Sequence, residues 1–162
     1  MLSIRKDIHS EDAGKIRGIL SGTGFFDEAP DEIDVAMELV HSAIDDGNNA
    51  ENYRILIAED GSEVVGYICY AHVPCTLSTY EMYWICVDKR TQGKGVGRAL
   101  VYEALREVRD LGGVKIILYT AGREQYLPTQ KFYASCGFAL EARLKNYYAP
   151  GDDCLIYSMD VI

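Results

Sequence analysis

The chain has 162 residues, 48% of them hydrophobic and 25% charged, which is the composition expected of one water-soluble domain with a single core. Sixteen Lys and Arg against 25 Asp and Glu leave a formal net charge of −9. That excess argues against a nucleic-acid binder, which needs clustered cations to neutralise phosphates, and it leaves room for cationic partners.

"LSIRKD" reads as a short strand. Ser10 and Glu11 open a helix to about Leu20, with Ile16, Ile19 and Leu20 at helical spacing, and "SGTGFF" breaks it. Pro30 starts a second helix, "PDEIDVAMELVHSAIDD", with acidic residues in its first turn where the helix dipole favours them. Ile33, Ala36, Met37, Val40 and Ile44 make its apolar face. "GNNAEN" is a turn cluster. "YRILIAED" and "EVVGYICYAHV" read as a hairpin about Asp60-Gly61-Ser62, closed by Pro74. "YEMYWICVD" is the next strand, and a glycine loop leads from it into a helix from about Gly95 to Leu111. "VKIILYT" is a continuous apolar run, expected to be a strand buried on both faces. "LPTQKFYASCGF" is a short helix with Pro at its start and Gly137 as its C-terminal cap. "FALEARL" and "DCLIYSMDV" are the last strands, joined by a polar loop containing "YYAPGDD".

The order is βααβββαβαββ. Hairpins require antiparallel pairing, and the strand–helix–strand unit from Tyr80 to Thr120 requires one parallel pair. The expectation is an α/β (α+β) fold: a mixed, mainly antiparallel sheet of about seven strands flanked by helices. Without a linker or repeat, residues 1–162 read as one domain. "MLSIRKDIHS" lacks an apolar signal region, and the longest apolar runs are far short of a membrane span. Cys69, Cys75, Cys86, Cys136 and Cys154 are odd in number with no C-x-x-C spacing, so they read as reduced, buried thiols. His9, His41 and His72 are scattered, and no metal site is expected. These features point to a cytoplasmic protein without membrane or nucleic-acid partners. A homodimer stays open.

The informative stretch is "WICVDKRTQGKGVGRAL", Trp84 to Leu100. Gly93, Gly95 and Gly97 lie between an apolar strand and a helix. Glycines let backbone N–H groups approach an anion, and a helix start adds free donors and a positive dipole end. A phosphate or pyrophosphate is the expected ligand, with a plain glycine-rich turn as the alternative. A triphosphate loop needs G-x-x-x-x-G-K-[ST], but Lys94 lies inside the glycine run and Gly95 follows it. A dinucleotide loop needs G-x-G-x-x-G and a carboxylate ending the next strand, where Tyr119-Thr120 stands. "QGKGVG" instead fits Q/R-x-x-G-x-G/A through Gln92, Gly95 and Gly97, and "KFYASCGF" fits F/L-Y-x-x-x-G-F.

With both motifs in place, the chain resembles the GNAT superfamily of acetyl-CoA-dependent N-acetyltransferases over nearly its whole length. Its C-terminal "RLKNYYAPGDDCLIYSMDV" is more loosely similar to ribosomal-protein N-terminal acetyltransferases. The resemblance implies that the strand Tyr80–Asp88 splays from Val114–Thr120. It implies that acetyl-CoA lays its pantetheine arm beside Cys86 and Val87, with its pyrophosphate on the amides of Gln92, Gly93, Lys94, Gly95, Val96, Gly97 and Arg98. Where many members carry Asn ahead of the motif tyrosine, this chain has Tyr126, in a lengthened segment "AGREQYLP".

Acetyl transfer needs a neutral amine, whereas an amine of pKa about 10.4 is deprotonated in only roughly one molecule in a few thousand at pH 7. A carboxylate that removes the proton and an acid that meets the leaving thiolate are therefore sought. Tyr133 matches the family tyrosine that donates to the thiolate; the alternative is a core ring beside Phe132. Glu81 is the base candidate, at the place where the histone-acetylating branch carries its Glu; the alternative is an exposed carboxylate at a strand start. Strand alternation puts residues 81, 83, 85 and 87 on one face. The ribosomal-protein branch has its Glu near the end of the following strand, where Tyr119 stands here. Cys86 as an acyl-carrying nucleophile is disfavoured, since it sits mid-strand among apolar residues with no nearby His. Tyr67, Tyr70, Tyr80 and Tyr83 are candidates for an acceptor pocket. The expected acceptor is a small amine or amino-acid-like compound; the alternatives are a protein N-terminus, or a non-catalytic acyl-CoA sensor.

Overall fold

The structure, a computed structural model, describes residues 1–48 and 52–161. In chain order its elements are β1 (Leu2–Arg5), α1 (Asp12–Gly22), α2 (Asp31–Asp45), β2 (Arg54–Asp60), β3 (Glu63–His72), β4 (Thr79–Val87), α3 (Val96–Asp110), β5 (Lys115–Ala121), α4 (Leu127–Cys136), β6 (Ala139–Ala149) and β7 (Asp152–Asp160). A 3₁₀ turn, Glu124–Tyr126, precedes α4. The turn cluster expected at residues 47–52 falls partly on 49–51, outside the described residues.

All seven strands join one sheet in the order β1-β2-β3-β4-β5-β7-β6. Only β4 and β5 run parallel, because α3 carries the chain back between them. β2 and β3 form the expected hairpin, with Asp60 opposite Glu63 across Gly61-Ser62. The expected element order and mixed sheet are those observed.

Each sheet face carries its own apolar cluster. On one, α3 and α4 pack Leu100, Val108 and Tyr133 against Leu56, Ile68, Ile116 and Leu118. On the other, α1 and α2 set Ile16, Leu20, Met37 and Val40 against Ile55, Ile57 and Tyr67. The helical spacing read in "EIDVAMELV" is what turns one stripe of α2 inward. One buried carboxylate ties α3 to the sheet. Glu107 accepts from the Tyr70 hydroxyl and from Arg54 Nη2 at 2.8 Å, and Lys6 Nζ lies 3.0 Å away.

Three expectations change. β5 is buried on one face only: Ile116 and Leu118 are covered, while Tyr119 is 43% exposed. The uncovered face borders a cleft described below. The polar segment expected as a loop is mostly strand, since β6 continues through Tyr147 and Tyr148 to Ala149, and only Pro150 and Gly151 separate it from β7. β6 is the exposed sheet edge along its whole length. Cys69, Cys86, Cys136 and Cys154 are buried, but Cys75 is exposed in the turn after Pro74.

Candidate active site

The site begins where two strands part. β4 pairs with β5 only from Thr79 to Glu81, opposite Lys115 to Ile117. Beyond Glu81 the ladder stops, although β4 runs on to Val87 and β5 to Ala121. A β-bulge marks the divergence. On β3, Cys69 faces Trp84 and its neighbour Tyr70 faces Met82, so Tyr83 is an extra residue in β4.

The extra residue also changes which way the strand faces. Tyr80 and Met82 pack on the α3–α4 side, and so do Ile85 and Val87, whereas Trp84 and Cys86 pack on the α1–α2 side. Glu81, alternating with Tyr80 and Met82, therefore lies on the face opposite Val87. The shared face expected for residues 81, 83, 85 and 87 does not survive the bulge, because one inserted residue shifts a period of two.

A cleft of 1760 Å³ opens between the parted strands. At one end stands the glycine loop, which Asp88 organises. Its N–H donates to the Val65 carbonyl (2.8 Å), and its own carbonyl accepts from the N–H groups of Thr91 (2.8 Å) and Gln92 (3.1 Å). Its carboxylate accepts from the backbone and guanidinium of Arg90, which hold it below the usual carboxylate range; Arg90 also reaches Glu63 at 2.7 Å. Gln92 Nε2 donates to the Val87 carbonyl (3.1 Å).

Gly95 then takes φ +85°, a left-handed turn that aims the chain into α3. The Ala99 N–H donates to the Gly95 carbonyl at 3.0 Å, so the amides of Val96, Gly97 and Arg98 precede the first helical bond. Gly97 has a different reason to lack a side chain. A Cβ there would lie 3.2 Å from the Phe132 ring, so the glycine lets the first turn of α3 close on α4. Gln92, Gly93, Gly95, Val96, Gly97 and Arg98 all border the cleft, as do Cys86 and Val87. Lys94 is exposed and does not border it. Its charge instead adds to that of the N-terminal ammonium in holding the Asp60 carboxyl below its ordinary range. The loop thus offers backbone donors and a helix N-terminus, the donor set for a pyrophosphate.

Tyr133 projects from α4 into the middle of the cleft wall, its ring held among Phe132, Phe138 and Tyr157. Burial pushes its phenol well above the ordinary value, so it stays protonated across the neutral range. Glu81 lines the cleft at the fork, and burial raises its carboxyl, opposed by a hydrogen bond from Tyr83. Cys86 is buried and its thiol is pushed up to about 12, which leaves it a poor nucleophile. Among the described residues, no three His, Cys, Asp or Glu side chains come together as a metal-ligating group.

Of the tyrosines expected in an acceptor pocket, only Tyr83 borders the cleft. Tyr67, Tyr70 and Tyr80 are buried in the core. Tyr70 is held by Glu107, and Tyr80 packs on His72. The rest of the cleft is lined by residues the sequence did not single out. Phe25 and Phe26 come from the α1–α2 connection, Tyr119 from β5, Tyr147 and Tyr148 from β6, and Asp152 from β7. Tyr126 meets Phe25 edge-on at 4.8 Å and lies 5.0 Å beneath the Arg123 guanidinium. The lengthened segment therefore brings an aromatic wall to the cleft.

The sequence pattern of the acetyltransferase (GNAT) family matches residues 22–138. Mycothiol acetyltransferase of Nocardiopsis dassonvillei is 29% identical over 121 residues, which are 72% of this chain and 36% of that protein. The chain thus spans little more than a third of that relative's length. A crystal structure of a Desulfovibrio desulfuricans chain assigned to the GNAT family superposes with a TM-score of 0.92 at 38% identity, covering 100% of both chains. An aminoglycoside 6'-N-acetyltransferase complexed with coenzyme A shares the fold, with a TM-score of 0.78 at 19% identity over 100% of this chain and 97% of that one. With the parted strands, the glycine loop and the α4 tyrosine inside the matched span, the chain belongs to the acetyltransferase (GNAT) family.

Proposed function

We propose that the protein transfers an acetyl group from acetyl-CoA to a primary amine, directly, with both substrates bound at once. The observation that carries this reading is the end of the β4–β5 ladder at Glu81 and Ile117, beside a loop whose amides precede the first bond of α3. The unpaired edge of β4 near Cys86 and Val87 offers backbone groups to an extended amide-bearing arm, and residues 93–98 offer donors to its pyrophosphate, the Gln92 amide being held by Asp88. A neighbour of the same fold is complexed with coenzyme A, which supports the assignment.

In this reading Glu81 removes the ammonium proton of the acceptor, directly or through water. A carboxyl raised by burial is better matched to that task than an ordinary one. Tyr133 remains protonated and donates a hydrogen bond to the thiolate as the thioester breaks. The cleft supplies proximity, so no acyl-enzyme is needed, consistent with the unreactive Cys86 thiol. The acceptor lies at the aromatic end of the cleft, a lining suited to a small or slender amine.

The test is a screen of primary amines with acetyl-CoA, reading released thiol. Amine-dependent release is expected. Tight CoA binding with no acceptor acetylated would replace this reading with that of an acyl-CoA sensor.

A further inference from the structure

Asp152 has an unfinished contact. It begins β7, is 6% exposed and borders the cleft. Its Oδ2 accepts from Arg123 Nη1 at 3.2 Å, but its Oδ1 is buried and has no hydrogen-bond partner among the described residues. A buried carboxylate oxygen without a donor is costly, and native folds keep few of them, so a missing partner is the natural explanation. Arg123 donates to Oδ2 alone, through Nη1, and its guanidinium lies over the Tyr126 ring.

The surroundings define that partner. Three carboxylates border the cleft: Glu81 at the fork, and Glu32 and Asp152 at the far end. Tyr126 lies close enough to both Glu32 and Asp152 for their charges to add to the effect of burial in raising its phenol, and Tyr119 stands in the same relation to Glu81. Among the described residues, Arg123 is the one cation lining the cleft besides Lys89 and Arg98, which flank the glycine loop. The acceptor end is therefore net negative.

The two poles are well separated. Glu81 is level with Ile117, and Ile117 with Ser158. Asp152 lies six residues earlier in β7, about 20 Å of strand. Tyr119, opposite Ile156, lies between them, and Tyr147 and Tyr148 border the cleft beside Asp152; phenol faces attract cations and cover alkyl chains.

We infer that the acceptor is an elongated amine with a second cationic group: a linear diamine or polyamine whose reacting end meets Glu81 while its distal ammonium pairs with the Asp152 carboxylate. The inference rests on the amine-acetylation reading above. It deepens that reading by making Asp152 a specificity residue, remote from the bond that breaks.

The test compares linear α,ω-diamines of increasing length, and spermine, with monoamines of matched length. In the wild-type protein, long diamines are expected to show a KM about tenfold below that of the matched monoamine, the scale of one hydrogen bond to a charged group. In Asp152→Asn, which keeps the shape, the KM for diamines should rise about tenfold with kcat retained, closing the gap. Equal use of monoamines and diamines by the wild type overturns the inference and leaves amine acetylation standing. A diamine preference that persists in Asp152→Asn also overturns it. If no amine is acetylated, the transfer reading fails by itself, and calorimetric titration of spermine decides the rest. Binding weakened about tenfold by Asp152→Asn sustains the cation site; no binding, or equal binding, removes it.

Discussion

Tyr133 and Glu81 face the same cleft, and their proposed roles make opposite demands, one to stay protonated and the other to lose its proton. Burial raises both groups. For Tyr133 the shift keeps the donor charged with its proton at every working pH. Tyr133→Phe keeps the ring among Phe132, Phe138 and Tyr157 and removes only the hydroxyl. Steady-state rates at saturating acetyl-CoA should show kcat and kcat/KM both down roughly 10²-fold, with CoA affinity unchanged. Turnover equal to the parent would make Tyr133 a core ring only. For Glu81 the sign works on the acid side. Below its pKa the carboxyl is protonated and cannot accept, so kcat/KM should fall as pH drops through a value above the ordinary carboxylate range. Glu81→Gln should lower the rate and erase that acid limb. A raised carboxyl also costs the fold stability as pH rises from its unfolded to its folded pKa, so the Gln variant should be no less stable than the parent at neutral pH. The place of Tyr133 on α4 at the cleft was readable because a short motif on a helix fixes its own spacing; its role is what the Phe variant tests. Glu81 was legible as a residue but not in its facing, because nothing in "YEMYWICVD" announces that Tyr83 is a bulge. Asp152 was illegible for a related reason: its meaning lies in what it fails to contact.

At the scale of elements, strand, loop and helix make the anion site jointly, and two of its glycines act by different means. Gly95 has open space where a Cβ would go but a φ of +85°. Gly97 is not in the left-handed region, but a Cβ there would crowd the Phe132 ring at 3.2 Å. Gly95→Ala should therefore cost about 1 kcal/mol through backbone strain alone, read by chemical denaturation, and should weaken CoA binding as the turn relaxes. An unchanged midpoint and affinity would mean that the left-handed turn is not what sets the amides. The glycine spacing made this unit readable in advance. The continuous apolar run of β5 was misleading, because Tyr119 borders a cleft instead of a second layer and Ile117 is only partly buried. The polar character of "YYAPGDD" likewise concealed a strand, since an edge strand with both faces uncovered keeps no apolar alternation.

At the scale of the molecule, the element order and mixed sheet followed from hairpin and crossover logic, whereas the lining of the acceptor end depended on which loops meet in space. The contact of α3 with the sheet rests partly on Glu107, whose side chain is 5% exposed and ion-paired with Arg54, itself 14% exposed. Glu107→Ala leaves Arg54 with its cation buried and Tyr70 without its acceptor. Urea unfolding should show a loss of about 3–5 kcal/mol, the scale for breaking a buried pair from one side, and a loss below ~1 kcal/mol would place the pair in effective contact with water. The central claim is that the parted strands and the glycine loop together hold acetyl-CoA. Amide hydrogen exchange with and without CoA tests it without altering a residue. Slowed exchange is expected, confined to the unpaired edge of β4 from Met82 to Val87 and to the amides of residues 93–98; CoA binding that leaves both segments unprotected would contradict this.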